Sequence, residues 1–522
     1  MDKFFKQVGQ RIDRVMKSES AWQQSLINSV ERGVNFELSA DISDAILRQV
    51  TDNPPQKPDI IDFAGVDWES GDVRARQLAG ELVGLGHRVF YIQASLAQGA
   101  SPLIKKEGLN IYLVKFPHAG NQVLPPSLSL DDIVFFINNL AKVISAFNIC
   151  TAIVKVDQPA WRGLSAQIRQ EYGWKLVYDY TDKPVQPSPD PEISNEDEHW
   201  LLSQSDLVIF PSENLQERLG NETRQHLLVS NPPDIDASPA QITPNTLVDT
   251  WKISAETLED GLRSLYPKLS IIVVTFNKLE YTKLCLESVI RNTEFPNYEI
   301  IIVDNASVDG SVPYIQEFEH STKGVTFVRN EKNLGFAAAN NMGANSATGE
   351  YLVFLNNDTI VTPGWLQELL FCLNKYPAVG MIGPVTNAIG NEAKIEVDYK
   401  ELSGINYFAA RRAGKYRGMA FEIRVLALYC TVISRNLYSR LGGLDERYQV
   451  GMFEDDDLAL KIRKAGLTLM CAEGVFIHHF HGISFKQFED QELQRIFHEN
   501  KRKFEQKWGV TWQPHQNRPR RE

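Results

Sequence analysis

The sequence predicts an α/β protein of two domains with helical segments added at both ends. Two observations carry this reading. Apolar strand-like runs alternate with amphipathic helical stretches across 58–235 and again from 267 onward, the pattern of parallel, doubly wound sheets. The chain has 522 residues, more than one ordinary domain uses.

Residues 1–55 read as a helical extension. Phe4, Phe5, Val8, Ile12, Val15 and Met16 recur at helical spacing and give one apolar stripe, until Asn53-Pro54-Pro55 breaks the chain. Residues 56–235 form the first α/β domain: strand "DIIDFAGV", helix "DVRARQLAGELVGLGH", strand "RVFYIQA", then "TAIVKVD", "KLVYDY" and "DLVIFPS". No Gly-x-Gly-x-x-Gly follows the first strand, which argues against a dinucleotide site there. Residues 236–266 are a linker, broken by Pro239, Pro244 and Asn245, with a short helix in "ETLEDGLRSLY".

The second α/β domain spans 267–485. It runs through strand "KLSIIVVTFN", helix "LEYTKLCLESVIRNT", strand "YEIIIVDNAS", helix "VPYIQEFEHS" and strand "VTFVRN". The Gly/Asn-rich "EKNLGFAAANNMGA" leads to strand "YLVFLNND", and Pro363-Gly364-Trp365 opens a further helix. Residues 486–522 are a charged helix that ends in a basic Pro/Arg tail, and the tail is expected to be disordered.

Net charge is −12, which argues against nucleic acid as a partner. The basic ends read as solvated termini, or as peripheral contact with an anionic membrane. The five cysteines are scattered, which argues against a disulfide framework or a zinc site and fits a reducing cytoplasm. No secretory signal is visible, and no apolar run approaches the ~18–20 residues of a membrane span.

Three acid-bearing segments stand out. Asp304 closes one strand, Asp358 closes another, and Glu454, Asp455, Asp456 and Asp457 open a helix. Parallel strands place their carboxyl ends on one sheet edge, where ligands bind, so Asp304 and Asp358 should share a crevice. Each also has a structural reading. Asp304 with Asn305, Ser307 and Asp309 makes a turn and cap, and acids at 454–457 suit any helix N-terminus. His478, His479 and His481 follow a strand, where neighbours face opposite ways.

In the first domain, "GDVRARQLAGELVGLGHRVFYI", "KLVYDYTDK", "SDLVIFPSENLQERL" and "VSNPPDID" resemble the N-terminal half of GT-B fold glycosyltransferases. That fold holds its sugar nucleotide mainly on a second Rossmann-like half, which this chain lacks, so the resemblance implies an acceptor-handling or docking domain. In the second, "FLNNDTIVTPGWL" and "GGLDERYQVGMFEDDDLALKIRKAG", with Asn333-Leu334-Gly335-Phe336 and His479-x-His481-Gly482-x-Ser484, resemble the family-2 glycosyltransferases of GT-A fold over roughly 268–485. Bacterial polysaccharide rhamnosyl- and galactofuranosyl-transferases read similarly.

The resemblance implies roles. Asp304 would hydrogen-bond the nucleotide base, Thr275 and Asn277 would line the nucleotide pocket, and Asn357 would touch the ribose. Asp358 would hold Mn²⁺ or Mg²⁺ on the donor diphosphate. His479 would be a further metal ligand, with His481 its competitor. Asp455 would be the catalytic base, and Gly335 with Ala337–Ala339 would let backbone approach the donor. Asn356 and Asn357 stand where many relatives carry Asp, leaving fewer hard charges for the metal. The implied function is a cytoplasmic, inverting, metal-dependent glycosyltransferase. Its donor would be a nucleotide sugar, its acceptor a glycan or lipid-linked glycan of cell-surface polysaccharide or O-antigen type. The rival expectations are a nucleotidyltransferase, or a non-catalytic carbohydrate-binding scaffold with degenerate transferase domains.

Overall fold

In a computed structural model, residues 36–70, 73–117, 127–181, 191–229, 255–448, 450–481 and 490–518 are described. The stripe from Phe4 to Met16, most of the 236–266 linker, Gly482, Ser484 and the last basic residues fall outside them. The chain divides into two compact units, Met1–Leu265 and Tyr266–Glu522.

The first unit is built on strands β1 (Phe36–Glu37), β2 (Asp59–Phe63), β3 (Val89–Ile92), β4 (Leu103–Lys106), β5 (Ile111–Lys115), β6 (Ala152–Val156), β7 (Lys175–Asp179), β8 (Leu207–Phe210) and β9 (His226–Leu228). They order as β1-β4-β5-β3-β2-β6-β7-β8-β9 among the described residues. The pairs from β5 to β9 are parallel, whereas β4 lies antiparallel to both β5 and β1. β2 and β6 are buried along their whole length, which is why they read as unbroken apolar runs. Arg88 is buried on the Asp59 carboxylate through two bonds of 2.7 and 2.6 Å. At the carboxyl edge Lys155 bridges Asp62 (2.9 Å) and Asp179 (3.4 Å), and Arg74 reaches Asp179 at 3.1 Å. Buried Asp157 beside them is pushed up to about 7 by desolvation.

Within the stretch expected as a helical extension, the described residues 40–52 form a helix that packs on this unit. Helix Ala40–Asp52 is capped by Ser39, whose hydroxyl accepts the Ile42 N–H. Its Ile46 joins the sheet's core, and β1 extends the sheet edge.

The second unit contains β10 (Leu269–Thr275), β11 (Tyr298–Asp304), β12 (Val325–Arg329), β13 (Tyr351–Asn356), β14 (Thr359–Ile360), β15 (Val379–Thr386), β16 (Ala420–Glu422), β17 (Cys430–Ser434) and β18 (Thr468–His479). Their order is β12-β11-β10-β13-β17-β15-β18-β14, with β16 also on β18. The strands β10 to β13 are parallel, so Thr275, Asp304 and Asn356 end at one edge. β17 then enters antiparallel between β13 and β15. Helix Phe336–Ser346 lies on this sheet through small residues. A Cβ on Gly343 would sit 2.4 Å from Ile272 Cγ2. Ala337 and Ala339 are buried in the same core, so their size serves packing rather than approach to a donor.

At the C-terminal end the charged helix is present, and what differs from expectation is the tail after it. Helix Asp490–Trp508 packs on this unit, and the following residues to Arg518 lie along it. Aromatic anchors are the physical reason: Trp508 and Trp512 join Phe453 and Phe504 in one cluster, and Arg518 pairs with the buried Glu473 carboxylate. The five cysteines are buried free thiols. Among the described residues no helix is long and apolar enough to cross a membrane.

Candidate active site

A cavity of about 510 Å³ opens at the carboxyl edge of β10–β13. Two pairs of side chains face it: Asp358 with His479, and Glu454 with Asp455.

The first pair is made by a short ladder. After β13 the chain turns through Asn357-Asp358 into β14, which pairs antiparallel with the end of β18, setting Thr359 opposite His479. Phe480 N–H donates to the Asp358 carbonyl at 3.0 Å and ties the turn down. His479 Nε2 then stands 3.3 Å from Asp358 Oδ1, both residues buried. Three contacts fix this imidazole. Its backbone N–H donates to Asn387 Oδ1 (2.8 Å), its ring stacks on Tyr429 at 5.0 Å, and its Nδ1 lies 3.0 Å from the Ala388 carbonyl. A carbonyl only accepts, so Nδ1 carries a hydrogen and Nε2 is the nitrogen turned to a carboxylate oxygen, an acceptor facing an acceptor whenever the ring is neutral. Two acceptors at that distance repel unless a proton or a cation lies between them. The donor set, one carboxylate oxygen and one imidazole nitrogen, suits Mn²⁺ or Mg²⁺ completed by phosphate oxygens and water. Among the described residues no group of three or more His, Cys, Asp or Glu is arranged to hold a metal. His481, its φ at +52°, also lines the cavity, its ring 5.4 Å from that of His479. His478 faces away, bonded to the Tyr399 hydroxyl at 2.6 Å.

The second pair opens helix Glu454–Lys464. The four acids are sorted by direction. Trp512 Nε1 donates to Asp456 at 2.9 Å, while Lys507 and Trp508 bond Asp457. Glu454 is buried, and its Oε2 has no hydrogen-bond partner. Burial, then the charge of Asp455, holds the Glu454 carboxyl well above its ordinary value. Desolvation, followed by the charge of Asp456, pushes Asp455 up to about 6. A carboxylate of that basicity can take a proton from a hydroxyl near neutral pH. The preceding backbone is strained: Val450, Gly451, Met452 and Phe453 all have positive φ (72°, 148°, 75° and 80°). For the three non-glycine residues this costs roughly 1–3 kcal/mol each.

The other expected residues divide. Thr275, Asn277 and Asp304 reach the same edge but do not line the cavity. Asp304 is fully buried and accepts from Thr275 Oγ1 (3.1 Å) and the Ser307 N–H (2.9 Å). Asn277, at φ +56°, accepts the Val308 N–H at 2.8 Å. These three hold the strand-end loops together. Asn357 lines the cavity, yet its amide donates to Thr282 Oγ1 at 2.9 Å. Asn356, one residue earlier, lines the cavity too, and its side chain bonds to no other described residue. Gly335 (φ +87°) lies between the lining residues Asn333 and Phe336, and a Cβ there would meet Val450 N at 3.3 Å. Asn305, unassigned by sequence reasoning, lines the cavity and holds this loop by accepting the Leu334 N–H and donating to the Gly335 carbonyl. Its signal was its place directly after a strand-ending Asp.

Residues 270–438 match the family model described as Glycosyl transferase family 2, so the second unit carries a domain of that family. An uncharacterized protein of Sinorhizobium fredii, y4gI, is 27% identical over 44% of this chain and 26% of its own length. The O-antigen biosynthesis protein RfbC of Myxococcus xanthus is 28% identical over 41% of this chain and 17% of its own. The chain thus spans about a quarter or less of these relatives. The mannosyltransferase PcManGT of Pyrobaculum calidifontis, solved with GDP-Man and Mn²⁺, aligns over 42% of this chain and 58% of that one, at 20% identity and a TM-score of 0.32.

Proposed function

We propose that this protein is an inverting, metal-dependent glycosyltransferase that moves a sugar from a nucleotide donor to a hydroxyl of a glycan acceptor. The observation that carries the reading is one cavity, in a family-2 domain, faced by the buried His479–Asp358 pair and by a desolvated acid with a raised pKa (Asp455). The first is a place for a cation, the second a place for a base.

Asp358 and His479 would hold Mn²⁺ or Mg²⁺. The bound ion supplies charge neutralisation for the departing diphosphate. Asp455 takes the proton of the acceptor hydroxyl as its oxygen attacks the anomeric carbon. The bond from that carbon to the diphosphate breaks on the opposite face, so configuration inverts. Asn356 offers an uncommitted amide to donor hydroxyls, and Glu454, kept neutral, can donate one hydrogen bond into the same space. Asp304, Thr275 and Asn277 support the nucleotide side by fixing its loops.

The likeness to RfbC, an O-antigen biosynthesis protein, supports an acceptor in cell-surface polysaccharide synthesis. The first unit is assigned to the acceptor. At its carboxyl edge Lys155 and Arg74 are already matched by the carboxylates of Asp62 and Asp179, a balance that offers a diphosphate little attraction.

The test is a panel of UDP-, dTDP- and GDP-sugars incubated with the full chain, reading release of nucleoside diphosphate with Mn²⁺, Mg²⁺ or EDTA. Metal-dependent release from one donor is expected. No release from any donor, or full release in EDTA, overturns the reading.

A further inference from the structure

We propose that the C-terminal segment 490–518 is a positioning element of this active centre, and that Asn500 is the residue through which it acts. The inference rests on the transferase reading above. It concerns a segment beyond the 270–438 family match.

The backbone before the acid pair is strained. Val450, Gly451, Met452 and Phe453 have positive φ in succession. A β-branched residue there is a true outlier, and such strain persists only when the surroundings over-determine it. Val450, Gly451 and Met452 line the cavity, and the next turn of chain presents Glu454 and Asp455 to it. Relaxation of this loop toward negative φ would therefore re-aim the base.

The restraint comes from the C-terminal helix. Asn500 is buried, and its Nδ2 donates to the carbonyls of both Gly451 (2.9 Å) and Met452 (3.3 Å). Both bonds require the Gly451 and Met452 carbonyls to keep the directions that the positive-φ backbone gives them, so the contact favours the strained loop. Around it, the Phe453 ring meets Phe497 (5.2 Å), Phe504 (5.8 Å) and Trp512 (5.4 Å). Past the helix, Trp512 Nε1 and His515 Nε2 hold the two oxygens of Asp456 (2.9 and 3.4 Å). Asp456 is the immediate neighbour of Asp455, so the segment grips the acid pair's loop on one side and its helix on the other. No other described element makes a side-chain hydrogen bond to the Gly451 or Met452 carbonyl.

The experiment uses the full chain and the nucleotide sugar turned over in the donor panel. Asn500→Asp keeps the shape but removes both donated hydrogen bonds. Misplacing reacting groups by about 1 Å costs on the order of 100-fold in rate. The expected result is a kcat lowered by about that factor with donor KM within about twofold. Hydrogen exchange at the amides of 450–456 should also rise by about tenfold or more. Asn500→Gln, which retains donors, should recover part of the kcat. Ile496→Ala removes a buried side chain of the same helix. It should lower thermal stability yet leave kcat and the exchange of 450–456 near wild type. Unchanged kcat in Asn500→Asp, unchanged exchange at 450–456, or an equal kcat loss in Ile496→Ala at matched stability overturns the proposal. If no donor is turned over by the wild type, the transferase reading falls, and the exchange measurement alone still decides whether Asn500 holds the loop.

Discussion

Replacing Asp455 by Asn should trade activity for stability, and the pKa shows how much. The folded carboxyl is pushed from 3.8 to about 6, chiefly by desolvation. A shift of about two units at 1.36 kcal/mol each gives roughly 3 kcal/mol as an upper bound. The side chain is partly exposed to the cavity, so about 1–3 kcal/mol is expected. The folded pKa lies above the unfolded one, so the contribution to stability is fully present below 3.8 and lost as pH rises through about 6. Asn does not ionise and escapes that loss, while its side-chain carbonyl can still accept the Leu428 N–H. Thermal unfolding at pH 4 and pH 8 reads the difference. The variant should match wild type at the lower pH and exceed it at the higher by roughly 2–4 °C per kcal/mol. In wild type, kcat should fall on the acid side of about 6, where the base becomes protonated. In the variant, kcat should fall by about 10²–10⁴-fold, the worth of a general base. A variant less stable than wild type at pH 8, or one with nearly full kcat, refutes the reasoning.

Three further outcomes are expected. Asp358→Ala and His479→Ala should each raise the Mn²⁺ concentration for half-maximal activity by about tenfold or more, whereas His481→Ala should shift it less; equal effects of the two histidines would disprove the ligand assignment. Gly335→Ala places a side chain at φ +87° and presses on Val450 N, costing about 1–3 kcal/mol and raising donor KM; urea denaturation and donor kinetics check both, and an unperturbed variant counts against the strained contact. Arg88→Met leaves Asp59 buried without its partner and should cost about 3–5 kcal/mol in a denaturant titration, recovered in large part by adding Asp59→Leu.

The strands that end at the site could be read from the sequence, because β10, β11 and β13 are buried apolar runs that stop at polar residues. What stayed hidden depended on side-chain direction and distant partners. Asn357 follows the strand end and turns onto Thr282, leaving Asn356 for the cavity; local pattern does not reveal which of two adjacent amides a helix will capture. The run from Glu454 to Asp457 looks uniform, yet its division depends on Lys507, Trp508 and Trp512. Composition suggested a solvated tail there, but two tryptophans in a charged segment were a sign of docking. The alanines after Gly335 suggested an approach to ligand, whereas close packing on Ile272 and its neighbours explains their size.

The two-residue pairing of β14 with β18 carries a consequence for how this site can change. Ile360 faces His478 and Thr359 faces His479. Because side chains alternate, sliding one strand by a single residue would exchange the two imidazoles between the cavity and the Tyr399 side. The ladder therefore works as an address: it chooses which of two chemically identical neighbours meets Asp358. An insertion of one residue just before His478, with the upstream register of β18 kept, would set His478 opposite Thr359, preserving every ligand in the sequence and still delivering the wrong one.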